Sequence, residues 1–155
     1  MSAITRVRNS AKAIVIVENR LLTIHLRTER LGDFFMLPGG GQQPGESLHQ
    51  ALQRECREEI GTTVTIHELC FVRDYVGRNH DFSPADADLH LVELMFRCDL
   101  DDPARLGEGI LPDDHQVGLA WLDLERLDRF YPAGLRPLLR GGLAGAPPRY
   151  LGDLA

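Results

Sequence analysis

The chain has 155 residues, of which 43% are hydrophobic and 26% are charged, and its formal net charge is −6. This length predicts one domain with a substantial core, and the composition is typical of a soluble globular protein rather than a disordered one. The excess of acids argues against a nucleic-acid scaffold protein and against binding to anionic membranes, because both need a basic face.

The cysteines and the first residues bear on the cellular compartment. Cys56, Cys70 and Cys98 lie far apart and form no CxxC pair. Their odd number and wide spacing argue against a disulfide framework and against a zinc site. The first apolar run, Ala13–Val17, is too short for a signal peptide or a membrane span. We therefore expect a cytoplasmic protein without membrane association.

Strands are predicted in both halves of the chain. Two β-branched apolar runs, Ala11–Glu18 and Leu21–Arg27, predict a hairpin joined at Asn19-Arg20. Further strands are indicated over Thr63–Val76, Leu89–Cys98 and Val117–Leu122. Short helices are indicated over Leu124–Asp128 and Gly134–Arg140, and the glycine- and proline-rich segment 141–155 is expected to form an irregular tail. Strands interleaved with helices predict an α/β fold.

A longer helix is predicted over Ser47–Ile60. Ser47-x-x-Gln50 forms a capping box at its start, and Gly61 is suited to its end. On a helical wheel the apolar residues share one stripe, which consists of Leu48, Ala51, Leu52, Cys56 and Ile60. This stripe predicts the face that packs on the core.

Three glutamates lie where this helix should be apolar. Glu55 and Glu59 fall inside the stripe and Glu58 falls on its edge. Buried carboxylates are costly, and acids spaced i, i+3 and i+4 repel one another. A solvated charge run paired with Arg54 and Arg57 is one interpretation. A divalent cation is the other, and the position inside the stripe favours it, because carboxylate oxygens suit Mg²⁺ or Mn²⁺.

A glycine-rich loop precedes the helix. Its segment Gly40 to Ser47 has the spacing of a Walker A loop, but Glu46 replaces the lysine that grips phosphate in such loops. The P-loop interpretation is therefore rejected. What remains is a backbone that lets a ligand approach closely, next to a helix that carries carboxylates.

These residues resemble the signature of the Nudix hydrolase family. The pattern G-x5-E-x7-R-E-U-x-E-E-x-G-U, with U apolar, matches Gly40 to Thr62, although Thr62 is not aliphatic. The segment Leu37–Gly41 is similar to the family as well. The matching residues are Gly40, Glu46, Arg54, Glu55, Cys56, Glu58, Glu59 and Gly61. The resemblance implies an α/β/α sandwich with a mixed β-sheet, formed as a single domain by residues 1–155.

The resemblance also implies hydrolysis of a diphosphate linkage in a nucleoside diphosphate joined to another group, NDP-X. It assigns Mg²⁺ or Mn²⁺ to Glu55, Glu58, Glu59 and the Gly39 carbonyl. Arg54 would orient these glutamates, and Glu46 would support the loop. The carboxylate that accepts the proton of the attacking water varies within the family, and Glu58 is the expected base.

The resemblance leaves the last ligand or base open. Many relatives carry another acid ahead of a late strand that begins with tryptophan. Here His115 stands in that place, after Asp113 and Asp114 and before Trp121. Glu93, in a predicted strand, is the further candidate for a catalytic carboxylate, and a solvent-facing strand residue is its alternative interpretation.

Substrate-binding residues are less readable. Arg73 lies near the end of a predicted strand, and Arg78 and His80 follow it. We expect these three residues, with Gly40, to bind the substrate. Solvated loop residues are the alternative for the three basic side chains. The expected partner is a small nucleotide diphosphate, and the family resemblance also suggests a homodimer.

Two other functions remain open at the sequence level. A catalytically silent Nudix-like nucleotide-binding or sensor module is the main alternative, and the intact Glu55, Glu58 and Glu59 argue against it. An isomerase of isoprenyl diphosphates is the other, but no paired Cys/Glu signature is visible outside the matched segment.

Overall fold

The computed structural model describes residues 3–80, 86–108, 115–143 and 146–155. Its strands are β1 (Arg8–Ile14), β2 (Ile16–Val17), β3 (Arg20–Thr28), β4 (Gly32–Met36), β5 (Gly39–Gly41), β6 (Val64–Val76), β7 (His90–Leu100), β8 (Gln116–Asp123) and β9 (Arg149–Asp153). The helices are α1 (Leu48–Ile60) and α2 (Arg136–Arg140), with 3-10 turns at Gly77–Asn79, Pro103–Arg105 and Ala133–Leu135. None of the helices among these residues is long and apolar enough to cross a membrane.

The strands form two sheets. The larger has the order β5-β1-β7-β6-β9, with β1 parallel to β7, β6 parallel to β9, and the other pairs antiparallel. In the smaller, β3 pairs antiparallel with β2, β4 and β8. The predicted α/β fold with a mixed sheet is therefore confirmed.

Two clusters of buried apolar side chains hold these layers together. One joins β1 and β7 to α2 and includes Ile14, Met95 and Leu139. The other lies under α1 and includes Leu52 and Cys56. The apolar stripe of α1 is thus the face that packs on the core, as its periodicity predicts.

The ends of α1 also agree with the sequence. The Ser47 hydroxyl accepts from the Gln50 amide at 3.1 Å, and the Gln50 side chain accepts from the Ser47 amide at 2.8 Å. Gly61 caps the other end at a φ of 88°, in the left-handed region that favours glycine.

The predicted N-terminal hairpin is only partly correct. Its turn lies at Glu18-Asn19, with φ values of 50° and 62°, one residue earlier than Asn19-Arg20. Two successive left-handed residues form the kind of tight turn that suits strand twist. The apolar run is also divided, because β1 joins the large sheet between β5 and β7 and only β2 pairs in the hairpin.

Two further predictions are wrong. Residues Leu124–Asp128 form turns rather than a helix, since Asp123 accepts the Glu125 and Arg126 amides. Leu124 and Leu127 are nevertheless buried, which explains their helix-like spacing. The tail at 141–155 is not irregular throughout, because Arg149–Asp153 forms β9 and pairs with β6.

Candidate active site

The glycine-rich strand β5 contacts the helix through Glu59. This side chain is buried, with 9% of its surface exposed, and its Oε2 accepts from the Gly39 amide at 3.1 Å. Gly39 has a φ of +131°, and a Cβ there would lie 2.1 Å from the Ala11 carbonyl oxygen. Only glycine fits this position, which brings the backbone of the loop up to Glu59.

The neighbouring glycine makes room for a second carboxylate. A Cβ on Gly40 would lie 2.6 Å from both Cδ and Oε1 of Glu55. The Glu55 carboxylate therefore occupies the space that any other residue at position 40 would fill.

Arg54 fastens the loop to the helix. Its guanidinium donates two hydrogen bonds of 2.9 Å to the two carboxylate oxygens of Glu46. It also donates to Glu55 Oε1 and to the Gly41 carbonyl, each at 2.9 Å. We refer to these four residues, Gly41, Glu46, Arg54 and Glu55, as the Arg54 clamp. Planar bidentate pairing is suited to holding a carboxylate in one orientation.

The clamp shows in the electrostatics of Glu46. The hydrogen bonds from Arg54, together with one from the Gln43 amide, lower the pKa of Glu46 from 4.5 to about 2. Glu46 therefore stays ionised in moderate acid and keeps the clamp closed.

The three helix glutamates differ in how firmly they are held. Glu59 is bonded to Gly39, and Glu55 is bonded to Arg54. Glu58 is the most exposed, at 32% of its side chain, and its Oε2 lies 3.8 Å from Arg54 Nη1. The burial of Glu59 inside the apolar stripe confirms that part of the wheel prediction.

These residues suit a hard divalent cation in their chemistry. The three carboxylates lie on neighbouring turns of the helix and offer only oxygen atoms as metal ligands. The space beside Gly40 accommodates the carboxylate of Glu55. They are not drawn together into a ready cluster, because the described ranges hold no group of three or more His, Cys, Asp or Glu placed to bind a metal. The Gly39 carbonyl accepts from Lys12 Nζ at 3.2 Å.

A second set of charges lies on the inner strands of the large sheet. Glu93 on β7 and Arg73 on β6 are both buried, with 3% of each exposed. Arg73 Nε donates to Glu93 Oε1 at 2.7 Å, and Nη1 donates to the Leu154 carbonyl. Lys12 Nζ lies 3.9 Å from Glu93 Oε2. Lys12 thereby connects Glu93 to the Gly39 loop.

The decisive comparison is with a family model described as the NUDIX domain, which matches residues 4–141. The chain belongs to this family. Members of the family generally use divalent cations, and the segment Gly40 to Thr62 that carries the clamp and the glutamates is its signature.

The individual proteins that resemble this Nudix domain share less than a third of their aligned residues with it. A nucleoside triphosphatase, NudI, of Salmonella paratyphi B is 28% identical over 93 residues, which are 59% of this chain and 62% of the relative. The match thus spans less than two thirds of that protein. A UDP-X diphosphatase structure has a TM-score of 0.70 at 19% identity, covering 98% of this chain and 70% of its own. A MutT protein from Bacillus halodurans has a TM-score of 0.68 at 19% identity, with 94% and 88% covered. The structural likenesses show the shared fold.

The predicted substrate-binding residues of this Nudix domain are scattered. Gly40 lies in the loop beside the glutamates, whereas Arg73 is paired with Glu93. His80 contacts Asp153 at 2.6 Å and therefore joins the 3-10 turn to β9. Arg78 is exposed in that turn. The structure gives Arg73 and His80 partners within the chain and does not bring these basic residues to the glutamates as one group.

The late position that often carries an acid in Nudix proteins is only partly described. Asp113 and Asp114 lie outside the described residues. His115 is exposed, and the next residue, Gln116, donates from its side chain to the Glu59 backbone carbonyl at 3.1 Å. The structure therefore places Gln116, which the sequence did not single out, against the helix.

Lys12 was also missed. The signal was present, because it is the only lysine in the sequence and it interrupts an otherwise apolar, β-branched run. A charged residue in such a run needs a specific polar partner once the strand is buried.

Proposed function

We propose that this Nudix domain hydrolyses a diphosphate linkage in a small nucleotide, with NDP-X compounds as the expected substrates. The Arg54 clamp is the observation that carries the proposal. It fixes the loop and Glu55 in one arrangement, beside the buried Glu59. Carboxylates placed so close together and partly buried are costly unless a cation binds them, so their presence favours a metal-dependent site. The names of the relatives, a nucleoside triphosphatase and a UDP-X diphosphatase, both denote phosphoanhydride substrates.

We assign Mg²⁺ or Mn²⁺ to Glu55, Glu58 and Glu59, with the Gly39 carbonyl as a further ligand once Lys12 leaves it. When bound, such an ion would supply charge neutralisation on the phosphates and a bound water of lowered pKa. The carboxylates here offer the hard oxygen ligands that either ion prefers.

The chain's own groups then divide the remaining work. Glu58 is the proposed base, because it is the most exposed of the three and makes the loosest contact with Arg54. Arg54 is a positioning residue, since it holds Glu55 and the loop. Glu93 faces Arg73 on one oxygen and Lys12 on the other, which suits a positioning role better than that of a proton acceptor.

The test is a panel of NDP-X compounds and nucleoside triphosphates, incubated with Mg²⁺ or Mn²⁺ in ¹⁸O-labelled water. Phosphorus NMR would detect the products and show which phosphorus atom received the labelled oxygen. We expect hydrolysis of at least one compound, with the label on a phosphate product.

Glu59→Gln is the matched variant, because it keeps the shape and removes the charge. We expect kcat to fall by roughly 100-fold or more, while the melting temperature stays close to wild type. Glu125→Gln, at an exposed position, serves as the control. No turnover on any compound together with tight nucleotide binding would replace the hydrolase with the sensor module. Near-normal activity of Glu59→Gln would refute the metal assignment.

A further inference from the structure

Lys12 has an unusual place among the basic residues of this chain. It is the only lysine, whereas the other basic residues of the 17 are all arginines. Its side chain is only 16% exposed and extends from β1. Removing an ammonium from water is costly unless nearby groups compensate for it, so the position calls for an explanation from its contacts.

These contacts leave its charge only partly compensated. The nearest acceptor is the neutral Gly39 carbonyl at 3.2 Å, and the nearest carboxylate oxygen is Glu93 Oε2 at 3.9 Å. Glu93 already has a cation at hydrogen-bond distance, since Arg73 Nε lies 2.7 Å from its Oε1. Two cations therefore share one carboxylate, and the three groups together carry a net positive charge.

The location of this charge is next to the proposed site. The Gly39 carbonyl contacts Lys12, and the Gly39 amide contacts Glu59. Lys12 also lines a small opening with Met36, Leu37, Glu93 and Tyr131. A diphosphate that approaches the three glutamates is repelled by their negative charges. The positive charge of Lys12, which is separated from Glu59 in space only by Gly39, would offset part of that repulsion.

The chemistry of its side chain distinguishes Lys12 from Arg73, the other cation beside Glu93. Arg73 is fixed between Glu93 and the Leu154 carbonyl. The lysine ammonium is a compact charge on a flexible stem, with three donors that can turn from one acceptor to another. It can exchange the neutral Gly39 carbonyl for a charged oxygen, which is a stronger hydrogen bond.

We propose that Lys12 binds a phosphate oxygen of the substrate's diphosphate group and is a substrate-binding residue of this site. The inference rests on the proposed function, because it takes the glutamate site as the place where the diphosphate lies. The contact is made to the diphosphate and is independent of the nucleoside.

The experiment measures binding rather than turnover. Isothermal titration calorimetry with Mg²⁺ would use two unreactive probes, methylenediphosphonate and an α,β-methylene nucleoside diphosphate. We expect Lys12→Met to weaken the binding of both by a similar factor of about 10 to 100, the size of one charge-assisted hydrogen bond. Lys12→Arg should recover part of the loss. Arg126→Met removes one exposed positive charge and should bind as wild type does.

A second measurement does not depend on a variant that folds. Reductive methylation with ¹³C-formaldehyde would label Lys12 and the chain's N-terminus, and the Lys12→Arg spectrum or a mass-spectrometric map would separate the two. We expect the dimethyl-lysine resonance to shift when methylenediphosphonate binds.

Wild-type affinity of Lys12→Met for both probes would overturn the inference, and so would an unmoved resonance. A loss confined to the nucleoside probe would overturn it as well, because it would place the contact on the nucleoside. Diphosphonate binding through Lys12 without turnover on the panel would refute the proposed hydrolysis alone, so the two failures are distinguishable.

Discussion

Replacing Gly40 by alanine should displace one carboxylate of the site without disturbing the fold. The new Cβ would lie 2.6 Å from Glu55 Oε1, whereas ordinary van der Waals contact begins at 3.4 Å. The carboxylate must retreat by about 0.8 Å, the difference between those distances. This retreat displaces the oxygen that accepts from Arg54 Nη1 at 2.9 Å.

The expected effect is large on catalysis and small on stability. A misplacement near 1 Å costs on the order of 100-fold in rate, or about 2.7 kcal/mol. The φ of Gly40 lies outside the left-handed region, so alanine adopts its backbone conformation without strain. The Glu55 side chain is also 17% exposed and can move outwards. We therefore expect the free energy of unfolding to change by less than about 1 kcal/mol.

The assay compares kcat/KM on one substrate from the panel with urea unfolding of the same preparations. Gly118→Ala is the control, since a Cβ there meets nothing within 4 Å. Its activity and stability should stay near wild type. A Gly40→Ala protein that keeps kcat/KM within about threefold of wild type would show that the position of Glu55 does not matter, and the reasoning would fail.

Further predictions concern the loop and the ends of α1. Because the folded pKa of Glu46 is lowered from 4.5 to about 2, this carboxylate contributes stability above pH 4.5 that is lost as the pH falls through about 2. An NMR titration should show this low pKa, and Arg54→Met should raise it towards 4.5; an unchanged value would contradict the clamp. Ser47→Ala should cost about 1 kcal/mol in urea unfolding, because it removes the cap, and no loss would refute the capping box. Gly61→Ala should cost more than about 1 kcal/mol, since its φ is +88° and its Cβ would lie 2.6 Å from a carbonyl oxygen; a melting temperature equal to wild type would contradict this strain.

Local signals explain what the sequence could predict. The helix begins and ends where Ser47 and Gly61 indicate, because caps act within one turn of the chain. The carboxylates of Glu55 and Glu59 were placed towards the core by periodicity alone. These features depend on residues that are close in sequence, so a wheel and a capping rule suffice to find them.

Pairing between distant segments explains what the sequence could not predict. The assignment of β1 to the large sheet depends on β7, which lies about eighty residues further along the chain. The strand β9 depends on β6 in the same way, and glycine-rich composition around it suggests irregular structure. The partners of Arg73 and Lys12 follow from these pairings, because Glu93 sits opposite Arg73 in the β6–β7 register.

The same pairings limit how the large sheet can meet other chains. Its outermost strands are short, with three residues in β5 and five in β9. β9 covers β6 from Phe71 to Asp74. The uncovered part of β6 carries His67 and Glu68 and is irregular, because its pairing with β7 shifts in register on both sides of Leu69. A strand of another chain pairs with a sheet edge through a straight row of free amides and carbonyls, and short, irregular or charged edges do not offer such a row. We therefore expect β9 to lower the tendency of the large sheet to pair edge to edge with a second chain.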